Sequence, residues 1–485
     1  MPNKYVIVRG SVEIPKHALH ASEYAQLIST LTIHNQASYA DEDAAVRAYK
    51  ETADKIYVPK FYFTRVLAKR LLPFTISHEA QTGKKHNWPF EGALRPHQLT
   101  PRAGCTPTAD LADLILRHRG VFAEAQCGSG KTVSAIYTIH KLGMRTLVVV
   151  PNLELVKQWK AQLSRFLPSV KVTEYTGRKK DLTGDVVVAS LQLLSATEPG
   201  KINFPFVIVD EVHMTSTTCY SRIIFAVNFR YSLALTATGN RLDGMDALFR
   251  WSLANKTIKL DTDQMPVLVI YRPFRHADYV VRRLNRVDKF AVDQALVMED
   301  RRSAAIVLWL INAFQNGRRI LVLSKSILQL RILRDAFVKH VPEARTAMFT
   351  NEVTFRGKKV EKLKRTADQV KEDLKYLRDP DAVVFATIGK AGVGYDDPNK
   401  DCLILALPMM DPRQVIGRVQ RALPGKKPPL VLIPVDNLTG VIGRMRSAYE
   451  RTLRPLGKYC RLVNECSWYS TLSGEGVVHK LTAGA

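Results

Sequence analysis

The stretch Ala125-Gln126-Cys127-Gly128-Ser129-Gly130-Lys131-Thr132 decides how the rest of the chain is read. It follows the apolar run Gly120-Val121-Phe122-Ala123 and opens a helix-forming segment, Val133 to Leu142. Strand, glycine loop, Lys-Thr and helix, in that order, describe a loop that wraps phosphate. Gly128 and Gly130 let the backbone curl so that successive N–H groups point inward at an anion. The helix behind adds the positive end of its dipole. Gln126, Cys127 and Ser129 complete the cradle. Lys131 reaches the outer phosphates, and the Thr132 hydroxyl is a ligand for Mg²⁺. The general form of the loop begins with Gly, and here that position is Ala125. A chance glycine-rich turn is the plainer reading, so the loop has to be weighed with its surroundings.

Around it, strands and helices alternate. Thr146-Leu147-Val148-Val149-Val150 is a continuous apolar run of the buried parallel-strand kind, and Leu153 to Phe166 reads as a helix. Asp185 to Ala189, Phe206 to Val209 and Tyr231 to Leu235 read as further strands. Such alternation argues a doubly wound α/β domain with its working residues at the carboxyl ends of the strands. Asp210-Glu211 ends one of those strands. A Mg²⁺–nucleotide site needs one carboxylate to hold the metal and a second to orient or deprotonate the attacking water, and Asp210 and Glu211 fit those roles. Thr236-Ala237-Thr238 ends the next strand and could relay phosphate state. Farther on, Gln414-Val415-Ile416-Gly417-Arg418-Val419-Gln420-Arg421 reads as a helix, Gln414 to Ala422, with Arg418 and Arg421 on one face. Such arginines supply positive charge to a breaking phosphate bond.

The chain has 485 residues, long enough for several domains. Its 71 Lys+Arg against 45 Asp+Glu give a net charge of +26, which points to a polyanion, nucleic acid before anionic membrane. No apolar run approaches the roughly 18–20 residues of a membrane span. The N-terminus carries no signal-peptide core. The six cysteines form no CxxC pair, so neither a zinc site nor a disulfide framework is supported. A soluble intracellular protein is expected, in the host cytoplasm if the chain is of phage or viral type.

The expected organisation follows. Residues 1–90 form a small α+β accessory domain, a candidate DNA binder, with strands at Val6–Val8, Ser11–Ile14 and Ile56–Val58 and a helix from Asp41 to Asp54. Lys60-Phe61-Tyr62-Phe63-Thr64-Arg65 mixes bases with aromatics, as either a stacking surface or an ordinary aromatic core. Residues 91–262 form the first α/β lobe and 263–290 a linker. Residues 291–450 form a second α/β lobe, and 451–485 a basic–aromatic tail.

The ordered set of motifs resembles superfamily-2 helicases of the DExH type over roughly residues 91–440. Arg95-Pro96-His97-Gln98 resembles the adenine-reading Q segment. Residues 125–132 resemble motif I, where Ala in the first position is usual. Val150-Pro151-Asn152 through Gln158-Trp159 resembles motif Ia, Thr176-Gly177 motif Ib, and Asp210-Glu211-Val212-His213 the DExH box. Thr236-Ala237-Thr238 resembles motif III, Leu323-Ser324-Lys325 motif IV, Thr387 to Asp396 motif V and Gln414 to Arg421 motif VI. The resemblance implies two tandem RecA-like P-loop lobes with ATP and Mg²⁺ bound between them. It gives Gln98 to adenine, Lys131 and Thr132 to phosphate and Mg²⁺, Asp210 to the metal, and Glu211 to the base. His213, Thr236, Thr238 and Gln414 would couple the lobes, Gly394 and Asp396 would line the nucleotide, and Arg418 and Arg421 would be the arginine fingers. Pro151, Thr176, Gly177, Arg241, Ser324 and Thr387 would meet nucleic acid, mostly along its sugar–phosphate backbone.

Gln158-Trp159 and Arg241-Leu242-Asp243-Gly244 are further similar to the XPB-type and phage UvsW-type DNA helicases, and poxvirus transcript-release helicases share this look. That implies ATP-driven movement on DNA, giving unwinding, branch migration or fork remodelling in repair, recombination or replication. Three readings stay open beside it: the same motor on RNA or a transcription complex, an ATP-gated clamp that never hydrolyses, and a translocase that never separates strands. Nothing in the sequence identifies protein partners.

Overall fold

A computed structural model describes the chain except for residues 1–4, 9, 34–44, 68–74, 79–83, 127, 198–201, 213–225, 238–245, 286–288, 351–366, 395–396, 410–411, 439–442, 444–459 and 464–485. The chain divides into two units, Met1–Thr262 and Asp263–Ala485.

The first unit opens with strands β1 (Tyr5–Val8), β2 (Ser11–Pro15), β3 (Thr32–Ile33), β4 (Val46–Arg47), β5 (Lys50–Glu51), β6 (Lys55–Pro59) and β7 (Thr75–His78), with helices α1 (Ala21–Leu31) after β2, α2 (Lys60–Tyr62) after β6, and α3 (Pro96–Leu99) and α4 (Leu111–His118) after β7. Five of them form a mixed sheet, β5-β6-β2-β1-β7. The helix expected from Asp41 to Asp54 is not there among its described residues. Val46 instead pairs with Ile33, and Lys50 and Glu51 pair with Tyr57 and Ile56 across a tight turn. Thr52 and Asp54 close that turn with side-chain bonds, a local chemistry that competes with helix.

The second sheet of the unit carries β8 (Gly120–Glu124), β9 (Thr146–Val150), β10 (Val172–Tyr175), β11 (Val186–Ser190), β12 (Ile202–Val209), β13 (Val227–Thr236) and β14 (Lys256–Lys259). Their order is β10-β11-β9-β12-β13-β8-β14, and every pairing is parallel. β9 and β11 are buried along their whole length, which is why they read as continuous Val-rich runs rather than alternating ones. Each such Val stabilises by about 1.5–3 kcal/mol relative to exposure. Helix α5 (Lys131–Leu142) follows β8 and stops at Gly143, in the left-handed region at φ 59°. Helix α6 (Leu153–Phe166) follows β9. Asn152 caps it by accepting the Leu155 N–H at 3.0 Å, and Leu155, Val156, Trp159, Leu163 and Phe166 form its buried face.

The N-terminal sheet shares a core with this parallel sheet: Val12, Ile14, Ile56, Val58 and Phe63 lie in one cluster with Leu147, Val149, Val227 and Phe249. Lys60, Phe61, Tyr62 and Phe63 are all buried, so the basic–aromatic segment is packing and not a stacking surface. The Lys60 ammonium donates to the carbonyls of Phe229 (2.9 Å) and Arg230 (3.0 Å) on β13, and the Tyr62 and Trp251 rings meet edge to face at 5.1 Å. Gly120 is glycine because a Cβ there would collide with the Phe61 ring.

The second unit holds β15 (Val267–Phe274), β16 (Ile320–Ser324), β17 (Thr346–Phe349), β18 (Val383–Thr387), β19 (Cys402–Leu405), β20 (Leu430–Asp436) and β21 (Cys460–Val463). The order is β17-β18-β16-β19-β20-β15-β21, again parallel throughout. Two expectations change here. Residues 263–290 contain β15 and the helix Asp278–Leu284 rather than a bare linker. The tail contributes β21, which closes the sheet beside β15. Among the described residues no helix is long and apolar enough to cross a membrane. The chain thus has two tandem RecA-like α/β lobes, with the small N-terminal α+β portion fused onto the first.

Candidate nucleotide site

The phosphate loop leaves β8 at Glu124 and enters α5 at Lys131. Ala125 N–H still bonds the Thr236 carbonyl at 2.8 Å, so the loop springs directly off the sheet. Gly128 (φ 86°) and Gly130 (φ 83°) both take the left-handed conformation that the sequence reading requires. A Cβ on Gly130 would also strike the Gln98 amide. Ser129 Oγ is buried and has no hydrogen-bond partner among the described residues, a donor held ready beside the cradle. Cys127 lies outside the described residues.

The short helix α3 (Pro96–Leu99) braces this loop from outside. Arg95 Nη1 donates to the Gly128 carbonyl (3.2 Å), and the His97 ring lies 3.1 Å from the Ser129 carbonyl. Gln98, expected at adenine, is buried and spends its amide on the loop. Its Nε2 donates to Ser134 Oγ (2.9 Å) and Gly130 O (3.4 Å), and its Oε1 accepts the Arg95 N–H (2.9 Å).

β12 delivers the carboxylates. Lys131 Nζ and Glu211 Oε1 form an ion pair at 3.0 Å, with both side chains largely buried. Glu211 is one of two described non-glycine residues at positive φ, 49°. That conformation costs on the order of 1 kcal/mol and persists only where surroundings enforce it. Here the Glu211 N–H donates to its neighbour's Asp210 Oδ1 at 2.9 Å. The other oxygen, Asp210 Oδ2, accepts the Trp159 indole N–H at 2.8 Å. Burial pushes the Asp210 carboxyl up to about 6, the Glu211 charge adds to the rise, and Lys131 and Trp159 oppose it. Ammonium, two carboxylates and a helix N-terminus therefore converge at one strand edge. Each carboxylate oxygen has a second lone pair, so Asp210 keeps acceptor capacity for a cation that takes few protein ligands and completes its shell with phosphate oxygens.

Thr236 is fully buried at the end of β13, while His213, Thr238 and Arg241 lie outside the described residues. Of the residues expected at nucleic acid, Pro151 stands just before the α6 cap. Thr176 Oγ1 accepts the Lys179 N–H of its own turn at 3.3 Å, with Gly177 exposed beside it. Ser324 is buried at 0% exposure, and its hydroxyl donates to Gln329 Oε1 at 2.7 Å, so it shapes the end of β16. Thr387 pairs with it in register at the end of β18.

In the second unit, Gln414 and Arg418 lie on the helix Arg413–Val419, whose buried residues are Val415, Ile416, Gly417 and Val419. The helix ends three residues earlier than expected, so Arg421 is not on its face. The chain there pairs with the start of the unit: Met265 N–H donates to Gln420 O (2.7 Å), Gln420 Nε2 donates to Met265 O (3.3 Å), and Gln264 bridges Arg421. Lys426 Nζ holds the Arg421 carbonyl at 3.0 Å and that of Pro398 at 2.7 Å. Gly394 ends the helix Ile388–Gly394, and Asp396 lies outside the described residues. Sequence reasoning missed the roles of Arg95, His97, Trp159, Gln420 and Lys426. Each acts through a backbone carbonyl or a single N–H direction that no spacing encodes.

Residues 95–241 match the family described as "Type III restriction enzyme, res subunit". The chain is 26% identical to "Putative helicase 161L" of Invertebrate iridescent virus 6 over 72% of its own length and 78% of that protein's. It is 24% identical to "Putative ATP-dependent RNA helicase L396" of Acanthamoeba polyphaga mimivirus over 90% of its own length and 83% of the relative's. A shorter stretch, 25% of this chain and 28% of the relative, is 32% identical to "DNA 3'-5' translocase XPB2" of Sulfurisphaera tokodaii. With this loop and this carboxylate pair on one parallel sheet, the chain is similar to these helicases and fits superfamily 2 of the ATP-dependent helicases.

Proposed function

We propose that this protein couples ATP hydrolysis to movement along DNA, as a DExH-type motor that unwinds, branch-migrates or remodels forks in repair, recombination or replication of a virus or phage. The observation that carries the motor chemistry is the convergence of Lys131, Asp210 and Glu211 at the N-terminus of α5. Lys131 exchanges Glu211 for the outer phosphates of bound ATP. Asp210 and Thr132 would hold Mg²⁺, which would supply charge neutralisation at the phosphates. Glu211, released from Lys131, orients and deprotonates the attacking water. Arg418 and Arg421 of the second unit supply positive charge to the transition state. Thr236 reports phosphate state from the end of β13. Pro151, Thr176, Gly177 and Thr387 contribute to backbone contact with nucleic acid, consistent with the net charge of +26.

DNA is preferred because one relative is named a DNA translocase. A second reading, action on RNA, is favoured by the name of the mimivirus relative. Steady-state ATPase with no polymer, single-stranded DNA, duplex, a forked junction and matched RNA, at one salt concentration, separates them. Strongest stimulation by branched DNA is expected. Stimulation by RNA alone overturns the DNA assignment, and absence of any polymer-stimulated hydrolysis overturns the motor.

A further inference from the structure

We propose that Trp159 is a positioning residue that holds the Asp210 carboxylate for Mg²⁺ and carries the position of α6 to the nucleotide site. The inference rests on the motor reading above and assigns a regulator to the same site. Trp159 is 1% exposed and its indole N–H ends on Asp210 Oδ2 at 2.8 Å. Indole has one donor and no acceptor, so the bond has a single direction. With Oδ1 held by the Glu211 N–H, the plane of the Asp210 carboxylate is set from both sides, by its own strand end and by α6.

Trp159 is also two turns into the helix that Asn152 caps. Pro151 and Asn152 follow β9, the strand paired with β12. One rigid segment therefore has its first turn where nucleic-acid contact is proposed and its second on the metal carboxylate. The helix face that buries Leu155, Val156, Leu163 and Phe166 gives Trp159 no freedom to turn independently. A shift of α6 on polymer binding moves the N–H relative to Asp210 and changes how well that carboxylate meets the cation. Outer partners of metal ligands act in this way.

The test uses Trp159→Phe, which keeps an aromatic ring and deletes the N–H, and Leu163→Ala, which loosens the same helix without touching Asp210. Binding of a fluorescent ATP analogue is titrated with Mg²⁺ and compared with binding in EDTA, so only folded, nucleotide-competent protein is scored. Polymer-stimulated ATPase is measured alongside. For Trp159→Phe we expect the Mg²⁺ half-saturation to rise about tenfold, binding in EDTA to stay within about twofold, and stimulation by single-stranded DNA to fall about tenfold at unchanged DNA affinity. Leu163→Ala, which keeps the Trp159 N–H, should shift the Mg²⁺ half-saturation by less than Trp159→Phe does. An unchanged Mg²⁺ titration in Trp159→Phe, or an equal shift in Leu163→Ala, overturns the proposal. A wild-type protein that no polymer stimulates overturns the motor reading instead, while the Mg²⁺ titration still decides the role of Trp159.

Discussion

The two parallel sheets have one topology and opposite uses for it. Strand for strand, β10-β11-β9-β12-β13-β8-β14 corresponds to β17-β18-β16-β19-β20-β15-β21. In the first sheet, β8 runs into the glycine loop and β12 ends in Asp210-Glu211. In the second, the equivalent β15 ends at Phe274 without a glycine loop, and β19 runs on into Ala406 and Leu407. At β20 the charged groups of that second edge pair with one another. Asp436, at the end of β20, accepts from His276 Nε2 (2.8 Å) and from Arg302 Nε (2.9 Å) and Nη2 (3.1 Å), and Arg302 Nη1 donates to Ala406 O (2.7 Å). Burial alone would raise Asp436, yet the Arg302 guanidinium and the His276 bond hold it below the usual carboxylate range. Asp210 sits at the matching edge with its carboxyl pushed up by burial. The lesson is energetic. One edge keeps charge that a ligand can complete, and the other is sealed by an internal ion network.

The largest effects should come from the first edge. Glu211→Gln should slow polymer-stimulated hydrolysis by about a hundredfold or more while ATP still binds, because it removes the proton acceptor but keeps the shape. Lys131→Ala should lower both binding and hydrolysis, the latter by about a hundredfold. Retention of wild-type turnover by either protein would break the assignment of this edge. At the second edge, Arg302→Met leaves Asp436 charged and buried, and should destabilise the protein by about 3–5 kcal/mol in thermal or urea unfolding. If Arg302→Met instead weakened nucleotide binding with unfolding unchanged, the second edge would be a ligand site and not a seal.

A smaller, pH-dependent effect belongs to Lys60. Burial first, then the Arg119 and Arg230 charges, lower its ammonium to about 7 from 10.5. Between those values the unfolded chain binds a proton that the folded chain does not. Stability should therefore rise with pH across that window, by at most about 1.4 kcal/mol per pH unit, and the loss on lowering the pH should be complete once the folded value is reached. Comparing melts of wild type and Lys60→Met across the window isolates the slope, and identical slopes would refute the assignment. Smallest is Gln420→Ala, which removes one hydrogen bond to Met265 and should cost about 1 kcal/mol. A loss of hydrolysis larger than that of stability would show that the segment positions Arg421.

Much of the first edge was legible. A glycine loop has a spacing, a strand that is buried on both faces has an unbroken apolar run, and a carboxylate pair at its end stands out. The second edge was not legible, because Asp436, Arg302 and His276 are far apart in sequence and meet only through the sheet order. Val267-Leu268-Val269-Ile270 is an apolar run like that of β9, yet residues 263–290 hold no periodic element of length and read as linker. The end of the helix Arg413–Val419 depends on the Met265 pairing, a long-range bond invisible to helical spacing. Trp159 lies on the buried face of α6. Only the geometry shows that its one polar atom ends on Asp210.

Nucleotide stoichiometry tests the contrast most directly. Isothermal titration of the full chain with a non-hydrolysable ATP analogue and Mg²⁺ should find a single site per chain, weakened by Lys131→Ala and untouched by substitution of His276. Two sites per chain, or a site that Lys131→Ala leaves at wild-type affinity, would contradict the division of labour between the two edges.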